Sequence, residues 1–314
     1  MKVDFVIPLF NEEESLPAFH QMLEATELPE QWKRRYIFVN DGSSDRTQNI
    51  LRSLAEHNAN VLAVELSRNF GHQAALTAGL AETAGDVVIM MDGDGQHPPS
   101  LVSEMIRLYE SGCDIVQARR IDETSSQGSF KSWTSQLFYR LLRSIGEVEL
   151  VEGASDFRLL SRRAVEALRQ LPEYDRFLRG MTVWIGFTTA VLPYRASKRL
   201  GGKSKYSWRK MTSLAGDGIF SFSTVPLRIG IFLGLGFILV STIEVLYIAA
   251  VAISGHRDQL IPGWSSLILI LTLSSAINMI LLGILGVYVG MIFREVKRRP
   301  VYLVQSKTGG ILRD

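Results

Sequence analysis

The chain has 314 residues, with 34 Lys+Arg against 32 Asp+Glu and a net charge of +2; at roughly 150 residues per domain this length suggests about two units. The near-balance of charge gives no argument for nucleic acid as a partner, and the single cysteine, Cys113, excludes an internal disulfide or a Cys-based zinc site and reads as a small core residue. Residues 229–253 hold one charge, Glu244, and residues 264–293 hold none, so a disordered chain, a secreted disulfide scaffold and a wholly soluble enzyme are excluded as well.

In chain order, apolar runs at residues 3–7, 36–39, 61–66, 87–91 and 115–118 read as strands. Helix-like stretches at 12–26, 45–57, 72–83 and 98–111 alternate with them. Such alternation predicts an α/β fold with a mainly parallel sheet and helices on both faces. Asp4 interrupts the first apolar run and Asn11 to Glu14 soon follow, so no signal peptide is read and the first domain is expected in the cytoplasm.

Ligands of open α/β sheets bind beyond the carboxyl ends of the strands. Polar residues gather at those ends: Asn11-Glu12-Glu13, Asn40-Asp41-Gly42-Ser43 and Asp92-Gly93-Asp94-Gly95-Gln96. Turning at Gly93 and Gly95 can bring Asp94 and Gln96 onto a common ion with Asp92. An all-oxygen set suits a hard cation such as Mg²⁺ or Mn²⁺, which also bridges phosphates. A surface turn rich in Asp and Gly is the plainer reading of the same residues.

Two motifs fail. Gly201-Gly202-Lys203-Ser204 resembles the end of a phosphate-cradling loop, but Ser197 stands where that loop needs glycine. No G-x-G-x-x-G opens the helix after the first strand. The five histidines show no metal-ligand spacing, and His20 and His57 read as surface residues.

Residues 131–145 and 206–222 place Trp133 and Trp208 on apolar faces with Arg140, Arg143, Arg209 and Lys210 opposite, as in helices lying in the headgroup layer. The segments 229–253 and 264–293 follow. The shorter would span about 37 Å as a helix, against a hydrocarbon core of roughly 30 Å. Basic residues flank the pair and Arg257 alone lies between them, which predicts both termini in the cytoplasm. The expected organisation is a cytoplasmic domain at 1–205 (with an interfacial helix at 131–145), an interfacial helix at 206–227, two membrane helices within 228–293, and a tail at 294–314 whose residues 302–304 are free to pair as a strand with another subunit.

Several motifs together resemble a known family: Pro8-Leu9-Phe10-Asn11-Glu12-Glu13, Val39-Asn40-Asp41-Gly42-Ser43, Arg68-Asn69-Phe70-Gly71 and Asp92-Gly93-Asp94-Gly95-Gln96-His97-Pro98 are similar to the family 2 glycosyltransferases of GT-A (Rossmann-like) fold. Ser155-Asp156-Phe157-Arg158, Arg176-Phe177-Leu178-Arg179-Gly180 and Arg199-x-x-Gly202-x-Ser204-Lys205-Tyr206 narrow the resemblance to the polyprenyl-phosphate hexose synthases, the group that includes the bacterial undecaprenyl-phosphate (bactoprenol) glucosyltransferases and dolichyl-phosphate mannose synthase. The resemblance implies donor contacts at Pro8, Asn11, Glu12, Asp41, Asn69 and Asp92, and a divalent cation, Mg²⁺ or Mn²⁺, at Asp92, Asp94 and Gln96. It also implies Asp156 as a base or a positioning group. Gly93 and Gly95 depart from the Ala and Leu common at these places.

The implied reaction is inverting transfer of a hexose to a lipid phosphate in the cell membrane, with UDP-glucose and undecaprenyl phosphate expected and GDP-mannose the alternative donor. A phosphate monoester is mostly dianionic at pH 7, so a base has little proton to remove. Neutralising a dianion beside a diphosphate is the harder task. Arg119, Arg120, Arg199, Ser204 and Lys205 are the candidate acceptor-phosphate groups, and Asp94, Asp156, Arg199 and Lys205 the candidate catalytic ones. A processive polysaccharide synthase would need more spans and a Gln-x-x-Arg-Trp motif, which is absent. A non-enzymatic sugar-nucleotide sensor could dispense with Asp156 and the basic set, which are present. Homo-oligomerisation stays open.

Overall fold

The structure is a computed structural model and describes residues 1–121, 154–197, Leu200, seven positions between 236 and 253, and 263–310. The chain divides into two compact units, Met1–Gly218 with Arg299–Asp314, and Ile219–Arg298.

The first unit alternates β1 (Lys2–Leu9), α1 (Leu16–Glu24), β2 (Lys33–Asn40), α2 (Thr47–His57), β3 (Val61–Leu66), α3 (His72–Ala81), β4 (Val87–Met90), α4 (Val102–Glu110) and β5 (Ile115–Arg120). It continues with β6 (Ala154–Ser161), α5 (Arg162–Gln170), α6 (Leu178–Trp184), β7 (Thr189–Tyr194) and β8 (Val304–Gly309). One sheet runs β7-β5-β6-β4-β1-β2-β3-β8. Only β6 and β8 oppose the other six strands, so the α/β, mainly parallel expectation describes this unit.

Strand β1 is buried from Val3 to Leu9, as a central strand covered on both faces must be. Asp4 fits there because one carboxylate oxygen accepts the N–H groups of Ala84 and Gly85, at 2.7 and 2.8 Å. Helix α3 is buried at every position from Ala74 to Leu80. Gly79 sets its approach: a Cβ there would lie 2.3 Å from Val6 Cγ1. Ser161 caps α5 by accepting the Ala164 N–H at 3.2 Å.

Some expectations change. Val304–Gly309 pairs antiparallel with β3 of its own chain, with Val64 opposite Lys307. Ser306 Oγ donates to Glu65 at 2.8 Å and Lys307 pairs with Glu82 at 2.7 Å, which holds the strand on the sheet edge. His20 is not a surface residue; its ring packs on Tyr36 and Phe38 at 5.7 and 6.1 Å, and burial brings its pKa down. Cys113 packs against the core, as expected.

In the second unit, α7 (Trp264–Val296) carries the 24 residues Leu273–Val296, whose most apolar stretch has a mean hydropathy of 2.2, long and apolar enough to cross a membrane by length and composition. Of the segment 229–253, Gly236, Leu239, Thr242, Ile243, Leu246, Ala250 and Ile253 are described, all helical and exposed. The rest of it, and the stretches 131–145 and 206–227, lie outside the described residues; among the described residues α7 alone is long and apolar enough to cross a membrane.

Candidate active site

The carboxyl ends of β1, β2, β4 and β5 share one edge of the sheet with the beginning of the antiparallel β6. Register brings two distant motifs together. Met90 is opposite Arg158, and just beyond the end of β4 Asp92 shares a neighbour with Asp156: His72 Nε2 lies 3.6 Å from the first and 3.2 Å from the second.

After β1, Asn11 adopts the left-handed region at φ 52°, which Asn tolerates better than most residues. Its N–H donates to Ser43 Oγ at 2.9 Å, and its side-chain oxygen accepts the Ser44 N–H at 2.8 Å. Glu12 donates its N–H to Thr47 Oγ1 and accepts from Ser15 Oγ at 2.6 Å. The first two strand-end loops are thereby tied together. Pro8 is buried in the strand just behind them.

Asp41 reaches the loop after β3. Its two oxygens accept the N–H groups of Phe70 and Gly71, at 2.7 and 2.9 Å. Burial pushes this carboxyl up, although those amides favour its charged form. Gly42, at φ 65°, has no room for a side chain, since a Cβ would lie 2.4 Å from the Arg68 backbone. Asn69 stands exposed on this loop, and the Arg68 guanidinium lies 4.2 Å from the Phe70 ring centroid.

The 92–97 turn is held from three sides. Asp94 is buried and accepts the Gln96 N–H at 2.9 Å. The Asp92 N–H donates to His97 Nδ1 at 2.9 Å, and the His97 ring stacks on Phe157 at 5.0 Å. The N–H groups of Leu200 and Ser197 donate to the carbonyls of Asp94 and Gln96, at 3.0 and 3.1 Å. Gly93 is glycine for want of space: a Cβ there would lie 2.3 Å from Leu9 Cδ2. Gly95, at φ 78°, likewise lies under Leu200.

Asp156 sits at the centre. Arg179 grips it through Nε and Nη2, both at 2.9 Å, while Arg158 Nη2 lies 3.3 Å away and His72 Nε2 3.2 Å away. Burial opposes its charge, yet Arg179 and His72 hold the carboxyl well below the usual carboxylate range. A carboxylate so held is a weak base and a strong anchor. Arg158 is fully buried, and burial brings its pKa down to about 10. It also donates to Thr182 Oγ1 at 2.7 Å, which fixes α6 to β6. His72 keeps 40% of its side-chain surface exposed. Burial works against its charge, but the hydrogen bond to Asp156 and the field of Asp92 outweigh this and push the imidazole up to about 9.

The described residues contain no group of three His, Cys, Asp or Glu side chains arranged to hold a metal ion. The oxygens at this turn nevertheless fit one. Asp92 Oδ1 is buried without a hydrogen-bond partner, and two carboxylates with a neighbouring amide suit a cation that takes its other ligands from water and phosphate.

The structure thus brings Asn11, Glu12, Asp41, Asp92, Asp94, Gln96 and Asp156 to one edge. Arg119 and Arg120 end β5 on the same edge, both exposed. Arg199, Ser204 and Lys205 lie outside the described residues, although Ser197 and Leu200 bond to the turn. Sequence reasoning gave no role to His72, His97, Arg158 or Arg179. His97, Arg158 and Arg179 stood within the family motifs, and His72 directly follows Gly71 of another.

Residues 4–169 match the family model described as Glycosyl transferase family 2. The uncharacterized glycosyltransferase YkcC of Bacillus subtilis (strain 168) is 38% identical over 98% of this chain and 95% of its own length. The bactoprenol glucosyl transferase of Shigella phage SfX is 37% identical, over 98% of this chain and 100% of its own. A prophage bactoprenol glucosyl transferase homolog of Escherichia coli (strain K12) is 36% identical over 97% and 99%.

Proposed function

The chain belongs to glycosyl transferase family 2, and from that membership we propose that it transfers glucose from UDP-glucose to undecaprenyl or a related polyprenyl phosphate, with inversion, at the cell membrane. The observation that carries the reading is the meeting of the 92–96 turn with Asp156 at the carboxyl edge of the sheet. Near-full-length likeness to bactoprenol glucosyl transferases supports the choice of sugar and acceptor.

In this reading the first unit is a GT-A domain. Pro8, Asn11, Glu12, Asp41, Asn69 and Asp92 bind the donor. Asp92, Asp94 and Gln96 would hold Mg²⁺ or Mn²⁺, which when bound supplies positive charge to the donor diphosphate. Arg119, Arg120, Arg199, Ser204 and Lys205 receive the acceptor phosphate, with Arg offering a planar fork and Lys a compact charge. Asp156 acts as the anchor that orients Arg179, Arg158 and His72. The acceptor arrives already ionised, so the reaction asks for orientation and charge neutralisation more than for proton removal.

Two membrane helices at 229–253 and 264–293, with both termini in the cytoplasm, keep the domain at the surface where the lipid phosphate lies. Interfacial helices at 131–145 and 206–227 assist. Confinement raises the effective concentration of the acceptor. The test is a panel of radiolabelled sugar nucleotides, UDP-glucose and GDP-mannose among them, incubated with the purified chain and undecaprenyl phosphate. Label passing to lipid from UDP-glucose supports the proposal; label passing only from another donor overturns its sugar assignment.

A further inference from the structure

We propose that His72 is a positioning residue that couples Asp92 to Asp156, so that the pull of Asp156 sets how freely Asp92 can serve the cation; this rests on the cation reading above. The imidazole Nε2 lies 3.2 Å from Asp156 Oδ2 and 3.6 Å from Asp92 Oδ1. One ring nitrogen faces two acceptors and can satisfy one of them at a time. It bonds Asp156, and Asp92 Oδ1 is left buried with no hydrogen-bond partner.

The backbone on either side of His72 is pinned. The Gly71 N–H donates to Asp41 at 2.9 Å, and the Gln73 backbone carbonyl accepts from Thr77 Oγ1 at 2.8 Å. The ring can therefore move between the two carboxylates by side-chain rotation alone. Asp156 is itself fixed by Arg179 and Arg158, which places Arg179, His72 and Asp92 in one line of contacts from α6 to the 92–96 turn. When Asp156 pulls less, His72 turns to Asp92 and occupies an oxygen the cation needs. When Asp156 pulls more, that oxygen is released.

A double-mutant cycle on Mn²⁺ binding tests this, because it subtracts the long-range effect of each charge. Mn²⁺ is titrated into the full-length chain in detergent without donor or acceptor, and free Mn²⁺ is read by electron paramagnetic resonance. Asp156→Asn is expected to weaken Mn²⁺ binding, and the ratio of its dissociation constant to that of its parent to be about threefold or more larger with His72 present than in the His72→Ala background. Arg179→Gln, which hands Asp156 more fully to His72, is expected to tighten binding, again in a way that depends on His72. It carries the test alone if circular dichroism shows Asp156→Asn to be unfolded. Equal ratios in the two backgrounds overturn the coupling and leave the cation reading intact. A wild-type chain that binds no Mn²⁺ overturns the cation reading and this inference with it.

Discussion

Arg179 holds Asp156 with two parallel contacts, Nε to Oδ1 and Nη2 to Oδ2, each 2.9 Å long. This fork joins α6 to β6 and puts the charge of Asp156 to structural use before any substrate arrives.

Breaking that arrangement should cost stability in a pH-dependent way. Removing one member of a buried ion pair costs about 3–5 kcal/mol, so Asp156→Asn should be less stable by that order at pH 7. The folded-state pKa of Asp156 is depressed. Its contribution is thus complete above the unfolded value of roughly 4 and is lost as pH falls through the folded value. Thermal unfolding in detergent at pH 7 and under strong acid should show the gap between wild type and variant closing in acid. A gap of equal size at both pH values contradicts the depressed pKa.

Asp94 should matter to turnover far more than to stability. Its side chain accepts the Gln96 N–H within the turn, a bond worth about 1 kcal/mol. Loss of an electrostatic contact at the reacting centre costs roughly 100-fold or more in turnover. Asp94→Ala should therefore melt near the wild-type temperature while transfer collapses. EDTA should abolish wild-type transfer and Mg²⁺ or Mn²⁺ should restore it, and full activity in EDTA removes the metal from the account.

Leu9 and Gly93 are matched in size, since a Cβ at Gly93 would lie 2.3 Å from Leu9 Cδ2. Overpacking a core site costs about 1–3 kcal/mol, so Gly93→Ala should destabilise the chain by that order. Leu9→Val removes the Cδ2 atom in the way. Denaturant unfolding should show Gly93→Ala costing less in the Leu9→Val background; an equal cost in both would place the strain elsewhere.

The first five strands were legible because parallel strands buried on both faces leave continuous apolar runs. β6 hid because it carries Asp156 and Arg158, whose mutual pairing makes burial of both tolerable. β8 hid because it is a polar edge strand, with a register irregularity between Glu65 and Leu66 on its partner. The polar clusters at 11–13, 40–43 and 92–96, with the candidate metal residues among them, could be read from strand ends; the candidate donor contacts came from the family resemblance. His72 and Arg179 could not, because their roles arise from contacts 84 and 23 residues away in sequence, to which no periodicity points.

Arg199→Ala or Lys205→Ala should weaken acceptor use while donor binding changes little. A lost charge-assisted contact is worth about 1.5–3 kcal/mol, roughly 10- to 150-fold. Donor calorimetry beside initial rates over a range of lipid phosphate separates the two sites. Loss of donor affinity with a normal acceptor dependence would assign these residues to the diphosphate.

The central claim is direct transfer of glucose onto a lipid phosphate. Its most direct test is the structure of the product made by the purified chain from UDP-glucose and undecaprenyl phosphate with Mg²⁺. Direct attack on an α-linked donor inverts the anomeric carbon, so mass spectrometry and NMR should find one glucosyl group joined to the lipid through a single phosphate in β linkage. Release of free glucose with no lipid product, or an α-linked lipid phosphate, would contradict it.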